Sequence, residues 1–396
     1  MGVRGRSWIR RVAKEGVAAA AHLSGLRGVL AAGQRVKAGG RRVLIASYHR
    51  VVEDFEGELR RSIPGLLISR ETFRRHLEEA HRLGFELSSL EDALEVLDGR
   101  RNAARDLCVV TFDDGYRDVY RHAFPILKSM GAPAIVYLPA AFVGTERRFL
   151  HDRLFHLASL AVRARLPLPH LARGLLDPVV AGKVALSAAM DGYLGEHRAD
   201  EVAEVCGALE RTLGGGPELS PEQGDVMSWE EARRMQRAGI SFGAHTLDHR
   251  VLTLESEEVV EREVRGSRAW IERELGVPVR DFAYCNGWYS DLVVQVLVRC
   301  GFRSAVTTYD RPNAIGGDLF ALRRKVLWEN FSLGPGGRYS SPLTACQLDD
   351  VFGALGLWQP VPGWRPHRAP PAIEAPASPG PLQGGPGKED RWAWTR

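Results

Sequence analysis

Asp113 and Asp114 are adjacent carboxylates at the end of an apolar run, residues 107–112, and Gly115 follows them. Like charges that close raise one another's pKa unless a cation or a proton intervenes. A metal on one carboxylate, with the other free as a base, resolves that conflict. Taken alone, the stretch also reads as a solvated Asp-Asp-Gly turn, because Gly tolerates the backbone shapes turns require. The stretch Gly243-Ala244-His245-Thr246-Leu247-Asp248-His249 bears on that choice. Two imidazoles four residues apart share a face on one helical turn and can chelate a single ion. Thr at position 246 argues against the His-Glu-x-x-His pattern of metalloproteases. Asp114 with His245 and His249 forms a His-His-carboxylate set. It suits zinc, or another divalent transition metal such as cobalt, nickel or manganese, with positions open to water and substrate. A metal so held brings the pKa of a bound water toward ~7 and polarises a carbonyl oxygen. Asp113 then stands ready to take a proton from that water. The expected reaction is metal-assisted hydrolysis of an amide or ester.

Such residues must be carried to one place by strand ends. Residues 43–47 read as a buried strand followed by His49, and 107–112 as the strand before Asp113. Residues 134–138, 240–244, 281–284, 304–308 and 322–327 read as further strands. Between them lie helical stretches. One is capped by Ser69, one opens with the capping box Ser228-Trp229-Glu230-Glu231, and a long one spans 257–275. Strands alternating with helices predict an α/β fold, a distorted (β/α)7-8 barrel, TIM-like, in which reactive groups sit at the carboxyl ends of the strands. His49, Asp113, His245 and Asn286 all fall there. The alternation pauses at about 150–224, read as a helical insertion within a barrel spanning 41–330. Residues 331–396, rich in Pro and Gly, are expected to form a mostly disordered tail.

With 44% hydrophobic and 26% charged residues, the composition is that of a globular protein, and a net charge of +4 over 396 residues gives no nucleic-acid signal. Five scattered cysteines have neither metal-site nor disulfide spacing, and no apolar run spans a bilayer, so a cytoplasmic setting is expected. Residues 1–40 form a basic extension. Within it, Trp8, Ile9, Val12, Leu23, Leu26 and Leu30 supply one apolar side of a helix over 7–32. Such a helix can lie peripherally on an anionic membrane, or pack on the domain.

Three motifs in order, Thr111-Phe112-Asp113-Asp114-Gly115-Tyr116, His245-Thr246-Leu247-Asp248-His249 and Phe282-Ala283-Tyr284-Cys285-Asn286-Gly287, resemble those of the polysaccharide deacetylases, the NodB-homology carbohydrate esterases. The resemblance covers about residues 43–326. It implies a NodB-type barrel and removal of N-acetyl groups from the amino sugars of a glycan or glycolipid precursor. It also implies Asp113 as base and Asp114, His245 and His249 as metal ligands. Two departures stand out. Ala283 occupies the place of an arginine that orients the base in many members, and Cys285 the place of a proline. The usual histidine acid near the C-terminal end is also missing, and His49 fits the role that a first-strand histidine takes in circularly permuted relatives. A structural histidine is the other reading. The backbone amide near Asn286 is a candidate oxyanion donor, and Tyr116, Tyr284, Trp288 and Tyr289 are candidate sugar-stacking rings. His151-Asp152-Arg153 either lines the cleft or anchors the insertion. The alternatives are a hydrolase of a non-sugar carbon–nitrogen bond and an inactive carbohydrate-binding homologue.

Overall fold

The computed structural model describes residues 3–59, 62–215 and 226–357. Its strands are β1 (Val43–Tyr48), β2 (Arg50–Val52), β3 (Leu67–Ser69), β4 (Phe85–Leu87), β5 (Asp106–Phe112), β6 (Ala134–Leu138), β7 (Ile240–Ala244), β8 (Asp281–Ala283), β9 (Ser304–Val306) and β10 (Lys325–Val326). The main sheet runs β10-β1-β5-β6-β7-β8-β9, with β4 beside the first half of β5, and every pairing is parallel. β2 and β3 form a separate pair. The segment before β10 closes the curl. Leu322 exchanges hydrogen bonds with β9 (Leu322 N to Ala305 O, 3.0 Å; Thr307 N to Leu322 O, 2.8 Å), and Leu327 N donates to Ser47 O of β1 at 2.8 Å. The result is the distorted, helix-covered barrel that the alternation predicts.

Strand side chains alternate between two faces, and here each face has its own cluster. Val43, Ile45, Val109, Tyr137, Val306 and Leu322 come from around the whole barrel and meet in one cluster, so they face inward. Their neighbours Ala46, Tyr48, Val110, Phe112, Val136 and Leu138 pack outward against the helices. All seven residues of β5 are buried, which explains why the strand is apolar from Leu107 to Val110. The predicted caps form as well. Ser69 Oγ accepts from Thr72 N, and Ser228 and Glu231 exchange the two bonds of a capping box.

The insertion is four helices, Leu150–Arg163, His170–Val180, Leu186–Glu196 and Ala199–Thr212, around an apolar cluster of their own. Residues 216–225 lie outside the described residues.

The ends of the chain depart from expectation. The N-terminal extension is two helices, Val3–Leu23 and Leu26–Lys37, broken where Gly25 takes a φ of 74°. Its inward face is small: Ala18 and Ala21 pack on Leu343, Cys346, Val351 and Phe352. Of the aliphatics assigned to the apolar side, Leu23 is 85% exposed, Leu26 40% and Val12 39%, whereas Leu30 packs against this cluster. Trp8 and Ile9 lie outside the described side chains. Part of the expected tail also folds, as helices Ser341–Leu348 and Val351–Ala354 against that first helix. Short apolar residues spaced for a helix outweigh the Pro and Gly around them. Residues 358–396 lie outside the described residues. Among the described residues no helix is long and apolar enough to cross a membrane.

Candidate active site

Strand parity sets the first carboxylate. Asp113 continues the inward series Leu107, Val109, Thr111, and its amide donates to Tyr48 O at 3.0 Å. Asp114 and Gly115 then both adopt left-handed backbone, φ 68° and 64°. A Cβ at 115 would lie 2.5 Å from the Leu138 side chain, so only Gly fits this turn. The turn swings the Asp114 carboxylate toward the loop after β7.

Asp113 has a partner that its own motif does not reveal. Arg324, two residues beyond inward-facing Leu322, is fully buried and grips the carboxylate at both oxygens, Nη1 to Oδ1 at 2.7 Å and Nη2 to Oδ2 at 2.6 Å. Its Nε donates to Thr307 O at 2.8 Å, so the guanidinium plane is held in place. Burial would raise the Asp113 carboxyl, but the Arg324 charge outweighs it and keeps the pKa below the usual carboxylate value. An arginine thus meets Asp113 although none stands at position 283. Alternation from Leu322 was the available signal, and it needed a partner 211 positions away.

His245 and His249 meet Asp114, though not on a helix. Residues 245–250 form a loop in which Thr246 and His249 take φ of 62° and 54°, so the expected helical turn is replaced by an irregular one. Glu263, with no solvent exposure, holds it. Its Oε2 accepts from the amides of Leu247 (3.0 Å) and Asp248 (2.7 Å). His245 Nδ1 lies 2.7 Å from Ala283 O, a contact only an N–H can make, which leaves its Nε2 lone pair free. That Nε2 stands 3.4 Å, and His249 Nε2 3.0 Å, from Asp114 Oδ1. No hydrogen-bond donor satisfies this buried oxygen. Burial would raise the Asp114 carboxyl, but His249 and His245 in their protonated forms hold it well below the usual value, and a cation set between the three groups would stand in for those protons. An orphaned carboxylate oxygen facing two imidazole nitrogens fits a divalent cation. Cys285 Sγ also lies within 4.8 Å of both rings. It sits 4.0 Å from His245 Nδ1, however, the edge already bonded to Ala283 O. Asp114 is therefore the better third donor.

His49 follows β1, with Nε2 3.8 Å from Asp113 Oδ2. Burial lowers its pKa against the pull of Asp114 and Asp113, which keeps the ring neutral near pH 7. A cleft of about 630 Å³ opens above these groups and is also lined by Tyr284 and Asn286. Asn286 adopts left-handed backbone, φ 57°, and the Tyr284 hydroxyl donates to Phe320 O at 2.9 Å.

The other aromatic candidates lie elsewhere. Tyr116 is fully buried beneath the cleft, its hydroxyl donating to Asp152 Oδ2 (2.7 Å) and 2.8 Å from His151 Nε2. Tyr289 stacks on Tyr284, centroids 5.1 Å apart, and Trp288 packs on the insertion at Gly195. His151 does reach the cleft, stacked on Phe149 and with its ring centroid 5.2 Å from that of His249. Arg153 also borders the cleft while pairing with Glu210 inside the insertion.

Comparison with known proteins agrees with this fold. The family model described as polysaccharide deacetylase matches residues 100–305, just over half of the chain. The YxkH protein of Bacillus subtilis (strain 168) is 25% identical over 93 residues, which is 24% of this chain and 33% of that protein. The match thus spans about a third of that relative's length. Among solved structures, IcaB from Ammonifex degensii superposes with a TM-score of 0.50 at 21% identity, covering 78% of this chain and 98% of that one. BC0361, a polysaccharide deacetylase from Bacillus cereus, gives 0.50 at 18% identity, covering 78% and 69%. At these identities the likeness is one of fold.

Proposed function

This chain belongs to the polysaccharide deacetylase family, and we propose that it is a metal-dependent hydrolase removing N-acetyl groups from amino sugars of a glycan or glycolipid precursor. The observation that carries the proposal is the buried, donorless Asp114 Oδ1 facing His245 Nε2 and His249 Nε2, beside a second carboxylate pinned by an arginine. Asp114, His245 and His249 would hold the cation. Zinc suits this donor set best, and cobalt, nickel or manganese are accepted by the same chemistry. Such an ion supplies Lewis acidity to the acetyl carbonyl and to water.

The chain's own groups do the rest. Asp113, kept ionised by Arg324, takes a proton from the attacking water at a carboxylate oxygen. The backbone amide near Asn286 donates to the oxyanion. His49 delivers a proton to the departing nitrogen, so that amide and water become amine and acetate. Burial keeps this imidazole from holding its proton in the resting site. The proton it delivers is therefore the one Asp113 takes from the water, passed on to His49 Nε2, which lies 3.8 Å from Asp113 Oδ2. Tyr284 forms a wall for the sugar.

A non-sugar amide would meet the same groups, so the substrate has to be read by assay. The Asp113–Arg324 pair speaks against an inactive sugar-binding homologue, which has no need of a fixed, ionised base. Five free cysteines suit a reducing, cytoplasmic setting.

The test is acetate release from N-acetylglucosamine oligomers against small cyclic amides, with metal content measured in parallel. The expected result is acetate from the oligomers, lost on chelation and restored by a divalent ion, and an Asp113→Asn variant that binds metal but does not turn over. Wild-type turnover by that variant refutes the base assignment.

A further inference from the structure

We propose that the site takes its substrate end-on, admitting the terminal N-acetylated sugar of a glycan or glycoconjugate and excluding sugars inside a polymer. This rests on the deacetylase function proposed above. The insertion leaves the barrel after β6 and returns before β7, yet it is pinned to loops on three other sides of the strand ends.

Over the β7 side, Arg198 between its last two helices pairs with Glu255 at 3.0 Å. Glu255 is itself nearly solvent-free, its side chain 1% exposed, and also takes Arg250 at 3.0 Å. A carboxylate so enclosed between two guanidiniums is a firm attachment. Asp200 adds a weaker, exposed contact to Arg250 at 3.3 Å. Over the β8 side, Trp288 lies flush on the helix Leu186–Glu196. A Cβ at Gly195 would sit 2.0 Å from an indole carbon, so glycine is what lets backbone and ring meet. On the β2 side, Ile63 and Leu66 belong to the insertion's own apolar cluster.

Beneath this cover lie Asp113, Asp114 and His245, each 2% exposed. Leu194 and His197 of the insertion line the same cleft as His49 and Asn286. The cleft's roughly 630 Å³ lies within the ~300–1,000 Å³ of pockets that enclose a small ligand. A polymer acting through an internal residue needs a groove that continues past the reacting acetamide on both sides, and the pins at Glu255, Trp288 and Ile63 block that continuation.

The experiment uses the full-length, metal-loaded protein and N-acetylglucosamine oligomers of increasing length, with mass spectrometry locating each free amine. The expected result is one acetate per chain, from a chain-end unit, with turnover per chain independent of length. Free amines at internal units, or turnover that climbs with length, overturn the inference while leaving the deacetylase function standing. No acetate from any N-acetylated sugar overturns both. In an Arg198→Ala, Asp200→Ala variant, internal units are expected to become substrates. Strict end specificity in that variant overturns the role given to the insertion.

Discussion

Replacing Arg324 with Met tests how the base is kept ready. Arg324→Met keeps length and removes the charge, leaving the Asp113 carboxylate fully buried and without its two charge-assisted bonds. Breaking a buried ion pair from one side costs about 3–5 kcal/mol. The carboxyl can escape much of that penalty by taking up a proton, so the cost must depend on pH. In the wild type the folded-state pKa of Asp113 is depressed. Its stabilising contribution is present above the unfolded value of about 3.9 and is lost only as pH falls through the lower folded value. Between about pH 5 and pH 8 it is therefore flat. In the variant the folded pKa rises above the unfolded one. The native state then binds the extra proton, and stability falls as pH rises through the folded pKa. Urea unfolding, with a chelator present so that metal binding adds nothing, is expected to give the full loss of about 3–5 kcal/mol near pH 8 and a clearly smaller one near pH 5. Asp113→Asn added to Arg324→Met is expected to recover part of the loss near pH 8, since no unpaired charge is left. The acid limb of the pH–rate profile should move to higher pH. An equal loss at both pH values, with an unmoved acid limb, refutes the idea that Arg324 governs the charge of Asp113.

Glu263→Gln is expected to lower metal affinity by roughly 10–100-fold, measured by chelator competition, because the His245–His249 loop loses its charged acceptor while the ligands remain. His49→Ala should reduce acetate release from N-acetyl sugars by about 10²–10⁴-fold. It should affect an aryl acetate ester far less, because that leaving group needs no proton, and equal losses on both would remove the acid role. His76 is buried between Tyr48 and Ser332, and burial pushes its pKa down to about 3. The unfolded chain binds its proton near ~6.5, so stability is expected to fall as pH drops below that value, by up to about 5 kcal/mol near pH 3. His76→Asn should flatten that dependence in chemical unfolding, and an unchanged slope refutes the assignment.

The barrel was legible because its strands are buried on both faces. β5 is apolar from Leu107 to Val110, and the Ser69 and Ser228 caps mark helix starts that the structure reproduces. The meeting of Asp113, Asp114, His245 and His249 followed from their places at strand ends. Arg324 escaped notice because a charge in a short strand gives no local sign of a buried partner. The loop at His245–His249 was misread for a different reason. An i, i+4 spacing is compatible with a helix, Thr246 is a β-branched residue that gives no sign of left-handed backbone, and the enrichment of His in that region is too weak a sign to outweigh the spacing. At the N-terminus the large aliphatics drew attention, whereas close approach to the helix Ser341–Leu348 required the alanines.

Arg42, at the threshold of β1, pairs with both Asp106 (2.7 Å) and Asp349 (2.9 Å), and Arg27 also reaches Asp349. Both carboxylates are almost wholly buried. During synthesis, Arg42 and Arg27 must wait for Asp349 until some three hundred further residues have left the ribosome. The barrel's opening strand thus rests on a latch that snaps shut only when the far end of the chain arrives. A nascent or clipped molecule lacking that end would keep Arg42 on Asp106 alone and leave Arg27 without this carboxylate, so its opening strand would be held from one side only.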